Sequence, residues 1–282
     1  MKALPFASAA TLGLALAAAT PARATTYNFV TLTPPGATAG DFLFVAGVND
    51  VHQAIVTGLS STGAVVINDL YDWTTHTYIP LPDYPSSTAN TTSAQGASDA
   101  GLITGVYSAP GIASGGFLLS GGTFTPVMHP GAASMLAVGV NNNGDLVGTW
   151  SDGAANRGFI RIGGTFTPRN VLAAWGADTF VFFMNTSGMV VGQYSNSPGL
   201  TYASEPFVWS NGVYSQGTLR AGYAFGSYSD NNDVGVILGY ATNDPVNGAN
   251  AISFTDQGGV FSLFSDPLEW AALRPSRSTT PG

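Results

Sequence analysis

Four aspartates, Asp50, Asp99, Asp145 and Asp233, stand in comparable short polar turns between apolar runs. Acids gathered on one rim could hydrolyse a glycosidic bond, where one carboxyl protonates the leaving oxygen and a second acts across the sugar. Solvated turns place acids in the same way with no chemistry attached. Asn141-Asn142-Asn143-Gly144-Asp145 sets side-chain oxygens at alternate positions, so Asn141, Asn143 and Asp145 form a weak calcium candidate. Against it, Leu102, Met189 and Val236 replace Asp145 in the other copies, and no distal Glu completes a loop. Asn and Gly also serve tight turns, where both tolerate positive φ. His52, His76 and His129 lack a local zinc spacing, and neither a G-x-S-x-G elbow nor a P-loop occurs. With no cysteine, thiolate catalysis, disulfides and cysteine-based metal sites are excluded. No catalytic residue and no cofactor is expected.

A second set of candidates is aromatic. Tyr107, Trp150 and Tyr194 each lie two residues after a recurring glycine, and Tyr240 lies one residue after. Side chains two apart share a strand face. Such a stripe either packs between structural units or offers rings for sugars to stack on, with several equivalent sites giving avidity.

The elements that position these residues repeat. Asn141-Asn142-Asn143-Gly144-Asp145-Leu146-Val147-Gly148-Thr149-Trp150 is the clearest copy of a polar turn, three apolar residues, a glycine and an aromatic. Gly58, Gly105, Gly148, Gly192 and Gly239 anchor five copies at spacings of 43–47 residues. Each anchor is followed by two apolar runs split by Gly-Gly or Asn-Gly, as in Gly158-Phe159-Ile160-Arg161-Ile162-Gly163-Gly164-Thr165-Phe166. That is a hairpin signal. Four short strands per repeat, about five times over, predict an all-β chain folded as a β-propeller of about five four-stranded blades. The expected blades are 25–74, 75–121, 122–163, 164–212 and 213–264. Residues 26–32 resemble the second hairpin strand and are expected to pair with the last strands, closing the ring.

Composition sets the surroundings. Of 282 residues, 45 % are hydrophobic and only 9 % charged. Lys2, an apolar run from Ala3 to about Ala19, and Ala22-Arg23-Ala24 have the layout of a secretory signal peptide over 1–24. The expectation is export to the periplasm or beyond the cell, with no membrane anchor after cleavage. Residues 25–264 form the repeat domain and 265–282 a Pro/Ser-rich tail. After cleavage the basic residues are Arg157, Arg161, Arg169, Arg220, Arg274 and Arg277, against 16 acids. They form no basic cluster, so nucleic acid is not an expected partner.

The Asn-Asn-x-Gly-x-hydrophobic-Val-Gly element followed by Gly-Phe and an apolar pair resembles the HAF repeat of bacterial exported proteins. The likeness covers nearly the whole mature chain, most closely at 136–168 and 180–215 and least at 44–82. Of the family's His-Ala-Phe triplet only the Phe is kept, at Phe117, Phe159 and Phe207. The resemblance implies an exported repeat protein and transfers no catalytic residue. The functional expectation is a non-enzymatic binding or interaction module at the cell surface or outside the cell, for a polysaccharide or a protein. The alternatives are a glycan-acting hydrolase using acids in a propeller funnel, and a structural matrix or spacer protein with no small ligand.

Overall fold

Short runs rich in β-branched and aromatic residues, cut every few residues by Gly, Asn and Asp, favour strands over helices. The computed structural model describes residues 32–168, 178–195 and 203–264. Its elements there are twenty strands. Blade 1 holds β1 (Phe42–Val48), β2 (Gln53–Leu59), β3 (Val65–Asp72) and β4 (Thr77–Pro80). Blade 2 holds β5 (Ser93–Ala97), β6 (Ile103–Ala109), β7 (Ile112–Ser120) and β8 (Thr123–Val127). Blade 3 holds β9 (Ser134–Val140), β10 (Leu146–Ser151), β11 (Asn156–Ile162) and β12 (Thr165–Pro168). Blade 4 holds β13 (Asp178–Met184), β14 (Val190–Ser195), β15 (Glu205–Ser210) and β16 (Val213–Gln216). Blade 5 holds β17 (Phe225–Asn231), β18 (Ile237–Thr242), β19 (Ile252–Gln257) and β20 (Val260–Phe264). Every sheet is antiparallel in chain order. The first strand of each lies innermost, β1 meeting β5, β5 meeting β9, β9 meeting β13 and β13 meeting β17. The fold is a five-bladed β-propeller.

The expected blade boundaries are corrected by one strand. Each second hairpin strand belongs to the blade of the first, as Leu119↔Phe124 and Trp209↔Tyr214 show. The cause is the turn. Gly121-Gly122, Gly163-Gly164, Asn211-Gly212 and Gly258-Gly259 have positive φ at both positions. A two-residue loop of that kind joins only neighbouring strands of one sheet. Blade 5 therefore draws its four strands from 225–264, and the closing segment expected at 26–32 lies almost wholly outside the described residues.

The recurring glycine has a steric cause. Gly105, Gly148, Gly192 and Gly239 each pair across the ladder with a phenylalanine: Phe117, Phe159, Phe207 and Phe254. A Cβ on Gly148 would strike the Leu136 carbonyl oxygen and come 2.9 Å from the Phe159 ring. All four rings are buried, each worth about 1.5–3 kcal/mol of transfer free energy. In blade 1 the anchor position is Val56, not Gly58. Val56 pairs with Val45 and with Asp69, so no ring demands a glycine there.

Four apolar clusters join blades 1 to 2, 2 to 3, 3 to 4 and 4 to 5. Among the described residues none joins 5 to 1. Ile55, Thr104, Val147 and Val191 occupy one register position and are each 0 % exposed, whereas their blade 5 equivalent, Leu238, is 37 % exposed. On the facing side, Val45 and Val48 of blade 1 are 47 % and 45 % exposed. Their equivalents in the other blades, Ala137 and Val140 for example, are buried. Among the described residues the ring therefore has four packed interfaces, and the junction of blades 5 and 1 has none.

Candidate functional site

The aromatic candidates are dispersed. Tyr107 is buried and stacked on Tyr84, ring centroids 3.7 Å apart. Burial pushes its phenol up to about 12. Trp150 is half-buried and stacked on His129 at 4.0 Å. In both cases the loop entering the blade lays its ring on the candidate. Tyr194 is buried, donates to Glu205 Oε2 at 2.8 Å and accepts from Gln216 Nε2 at 2.8 Å. Burial pushes its phenol upward, with Glu205 adding to the shift. Tyr240 sits on the opposite strand face, and buried Ala241 takes the position equivalent to the other three. This is the packing role. Tyr84 and His129 each cover one face of the ring they stack on.

The calcium candidate is a closed turn. Asn141 Oδ1 accepts from the Asn143 and Asp145 backbone N–H groups, both at 3.0 Å. Asp145 Oδ2 accepts from Asn141 Nδ2, and its Oδ1 accepts weakly from Gly163 N–H at 3.4 Å. Asn141 Oδ1 is spent on the backbone and Asp145 Oδ2 on the Asn141 amide, and among the described residues no three His, Cys, Asp or Glu side chains are grouped to hold a metal ion. The histidines are apart as well: His52 packs edge-on to Trp73, and His76 Nδ1 meets Tyr71 Oη at 2.9 Å.

The same turn recurs in every blade. The side chains of Asn49, Ser98, Asn141, Asn185 and Asn232 each accept from the N–H four residues on. The next position links blades. Asp50 N–H donates to Asp99 Oδ1 at 2.7 Å, Asn142 Nδ2 to Asp99 Oδ2 at 2.9 Å, and Thr186 N–H to Asp233 Oδ1 at 2.7 Å. Asp50, Asp99 and Asp233 do share one rim. Asp145 does not, since it is three positions further along its turn and bonds within its own blade.

All five turns open on one cavity of about 200 Å³ on the ring axis. Two of its residues carry no signal in the repeat pattern itself. Each inner strand carries a one-residue bulge followed by an axial position: Gly47, Gly96, Gly139, Phe183 and Asp230. The glycines let neighbouring blades touch. A Cβ on Gly47 would lie 2.9 Å from Gln95 O, and one on Gly139 would lie 2.9 Å from Phe182 O. In blades 4 and 5 the glycine is replaced, and Phe183 and Asp230 both line the cavity. Aligning the repeats two residues before the turn would have exposed this break in symmetry.

Asp230 is half-buried and accepts from Asn231 N–H at 2.7 Å. Burial pushes its carboxyl up to about 6; Asp50 adds a smaller rise, and the Asn231 bond opposes it. Asn231, also lining the cavity, is 3 % exposed. Its Nδ2 donates to Met189 O at 3.1 Å, while its Oδ1 has no partner among the described residues. A buried acceptor without a donor costs about 1–3 kcal/mol.

No family model and no curated protein matches the chain. Solved structures do. The Aleuria aurantia lectin in complex with alpha-methyl-L-fucoside is 12 % identical, covering 80 % of this chain and 76 % of its own, at a TM-score of 0.47. The fucose-specific lectin from Aleuria aurantia is 12 % identical over 80 % and 76 %, at 0.48. AofleA from Arthrobotrys oligospora is 10 % identical over 78 % and 83 %, at 0.38. The Aleuria lectin is a six-bladed β-propeller.

Proposed function

We propose that this chain is a non-enzymatic binding module whose ligand site is the axial cavity at the turn end of the ring. One observation carries the reading. The repeat keeps glycine at three axial positions and abandons it at two, and both replacements, Phe183 and Asp230, line the cavity. The aromatic stripe of Tyr107, Trp150 and Tyr194 is set aside as packing. We further propose that the chain is exported and related to the HAF-repeat proteins. Support comes from Lys2, the apolar run after it, the Ala22-Arg23-Ala24 site, and the turn and Gly–Phe pattern.

The test is thermal unfolding of the full chain against soluble polysaccharides and their monosaccharides. A ligand that binds only the folded state at 100 times its Kd stabilises by about 2.7 kcal/mol. For a domain of this size that raises Tm by several degrees. The reading expects such a shift in the wild type and its loss in Asp230→Asn. A shift of equal size in both proteins contradicts it.

A second reading, glycan hydrolysis, has one observation in its favour. Asp230 is pushed up to about 6 beside the Asp50 carboxylate, the division of labour a general acid and its partner need. Release of nitrophenol from nitrophenyl glycosides, abolished by Asp230→Asn, would establish it in place of the binding module.

A further inference from the structure

The chemistry lining the axial cavity narrows its ligand. Four acids line it, Asp50, Asp99, Asp230 and Asp233, and no lining residue is basic. One of the four is engaged at both oxygens: Asp99 accepts from Asp50 N–H and Asn142 Nδ2. The other three have accepting capacity to spare: Asp233 and Asp230 each receive one backbone N–H, and the Asp50 carboxylate receives no hydrogen bond from the described residues. A separate observation points the same way. Asn231, in the same cavity wall, is 3 % exposed and keeps an Oδ1 with no donor among the described residues.

A bare metal ion does not fit. Among the described residues no three acids or histidines are grouped to hold one. The cavity, at about 200 Å³, is several times the ~30 Å³ that one water takes up in the liquid. It is also partly apolar: Phe183 lines it, and so do Val48 of blade 1 and Leu238 of blade 5. Acceptors on one part and carbon on another match a ligand with a cationic head and a short hydrocarbon stem.

Resting on the binding-module reading, we infer that the axial cavity takes an organic cation, a primary ammonium or guanidinium group on a short apolar stem. The head lies toward Asp50 and Asp230, and the stem toward Phe183, Val48 and Leu238. A free amine and a lysine side chain on a polypeptide or peptide present the same chemistry.

The test uses three probes with one skeleton and three charges: n-butylammonium, 1-butanol and butyrate, at fixed ionic strength, with binding to the full chain measured by calorimetry. The inference expects n-butylammonium to bind about tenfold or more tightly than 1-butanol, since bonds to charged groups are the stronger ones. Butyrate should not bind. Asp230→Asn should bring n-butylammonium down to the level of 1-butanol. Equal binding of the first two probes in the wild type overturns the inference, as does n-butylammonium binding that survives Asp230→Asn, or no binding at all. Leu238→Ala, at an exposed position that leaves the fold intact, separates the two levels of failure. Neutral 1-butanol binding that weakens in Leu238→Ala keeps the cavity as the site and removes only the cation. Binding of every probe unchanged in both variants removes the cavity reading as well. Nα-acetyl-lysine methylamide distinguishes the sources. Binding tighter than n-butylammonium assigns the site to a polypeptide's lysine, and weaker binding assigns it to free amines; either result supports the cation.

Discussion

Asp230→Asn should make the protein more stable at neutral pH. The Asp230 carboxyl is pushed from 3.8 up to about 6, first by burial and then by Asp50. Between pH ~4 and ~6 the folded chain keeps a proton that the unfolded chain has released. Stability therefore falls as pH rises through this window, and the whole loss is present at pH 7. A rise of that size corresponds to about 3 kcal/mol, at ~1.36 kcal/mol for each tenfold change in acidity. Asparagine never ionises and can still accept from Asn231 N–H through its own Oδ1. The variant should gain up to about 3 kcal/mol at pH 7, or about 6–12 °C in Tm at ~2–4 °C per kcal/mol for a domain of this size. The assay is thermal or urea unfolding of both proteins from pH 3.5 to 8. The gain should shrink steadily below pH 6 and vanish near pH 4. A variant no more stable than wild type at pH 7, or a gain equally large at pH 4, refutes the reasoning. A stabilising loss of the residue that lines the cavity would mark Asp230 as retained for function rather than folding.

Other perturbations separate packing from site. Gly148→Ala drives a Cβ onto Leu136 O and against Phe159, and should cost about 3 kcal/mol or more in denaturant unfolding. Ile55→Ala should cost about 2–5 kcal/mol, while Leu238→Ala at the equivalent position of blade 5 should cost under about 1 kcal/mol; equal costs would mean the junction of blades 5 and 1 is packed. Asn185→Ala removes the acceptor for Met189 N–H and the donor to Asn232 O and should lower stability by about 1–3 kcal/mol, read from the urea midpoint. Calcium or EDTA should leave Tm unchanged, because Asn141 Oδ1 and the Asp145 carboxylate are already engaged.

The repeat made the architecture legible because each of its signals has one steric or hydrogen-bonding cause. Asn at the turn start holds the N–H four residues on, Gly-Gly turns the hairpin, and Gly–Phe pairs fill the blade. Where a cause lapses, the pattern misleads. Asp69 stands where other blades have phenylalanine, so Val56 fits the anchor position and the nearby Gly58 only imitates it. Blade boundaries shift because similarity of strands says nothing about which sheet they join, whereas the two-residue turn does. The aromatic stripe is visible as a stripe, but its covers, Tyr84 and His129, come from entering loops with no fixed spacing to it. The axial pair, Phe183 and Asp230, is readable only by asking where the repeat breaks.

The most direct test of the axial site is a backbone-amide NMR titration of the full chain with n-butylammonium. The account predicts shift changes confined to the residues that line the cavity, among them Val48, Asp50, Phe183, Asp230 and Leu238, drawn from three blades. Changes centred on Tyr107, Trp150 and Tyr194, or no changes at all, would contradict it.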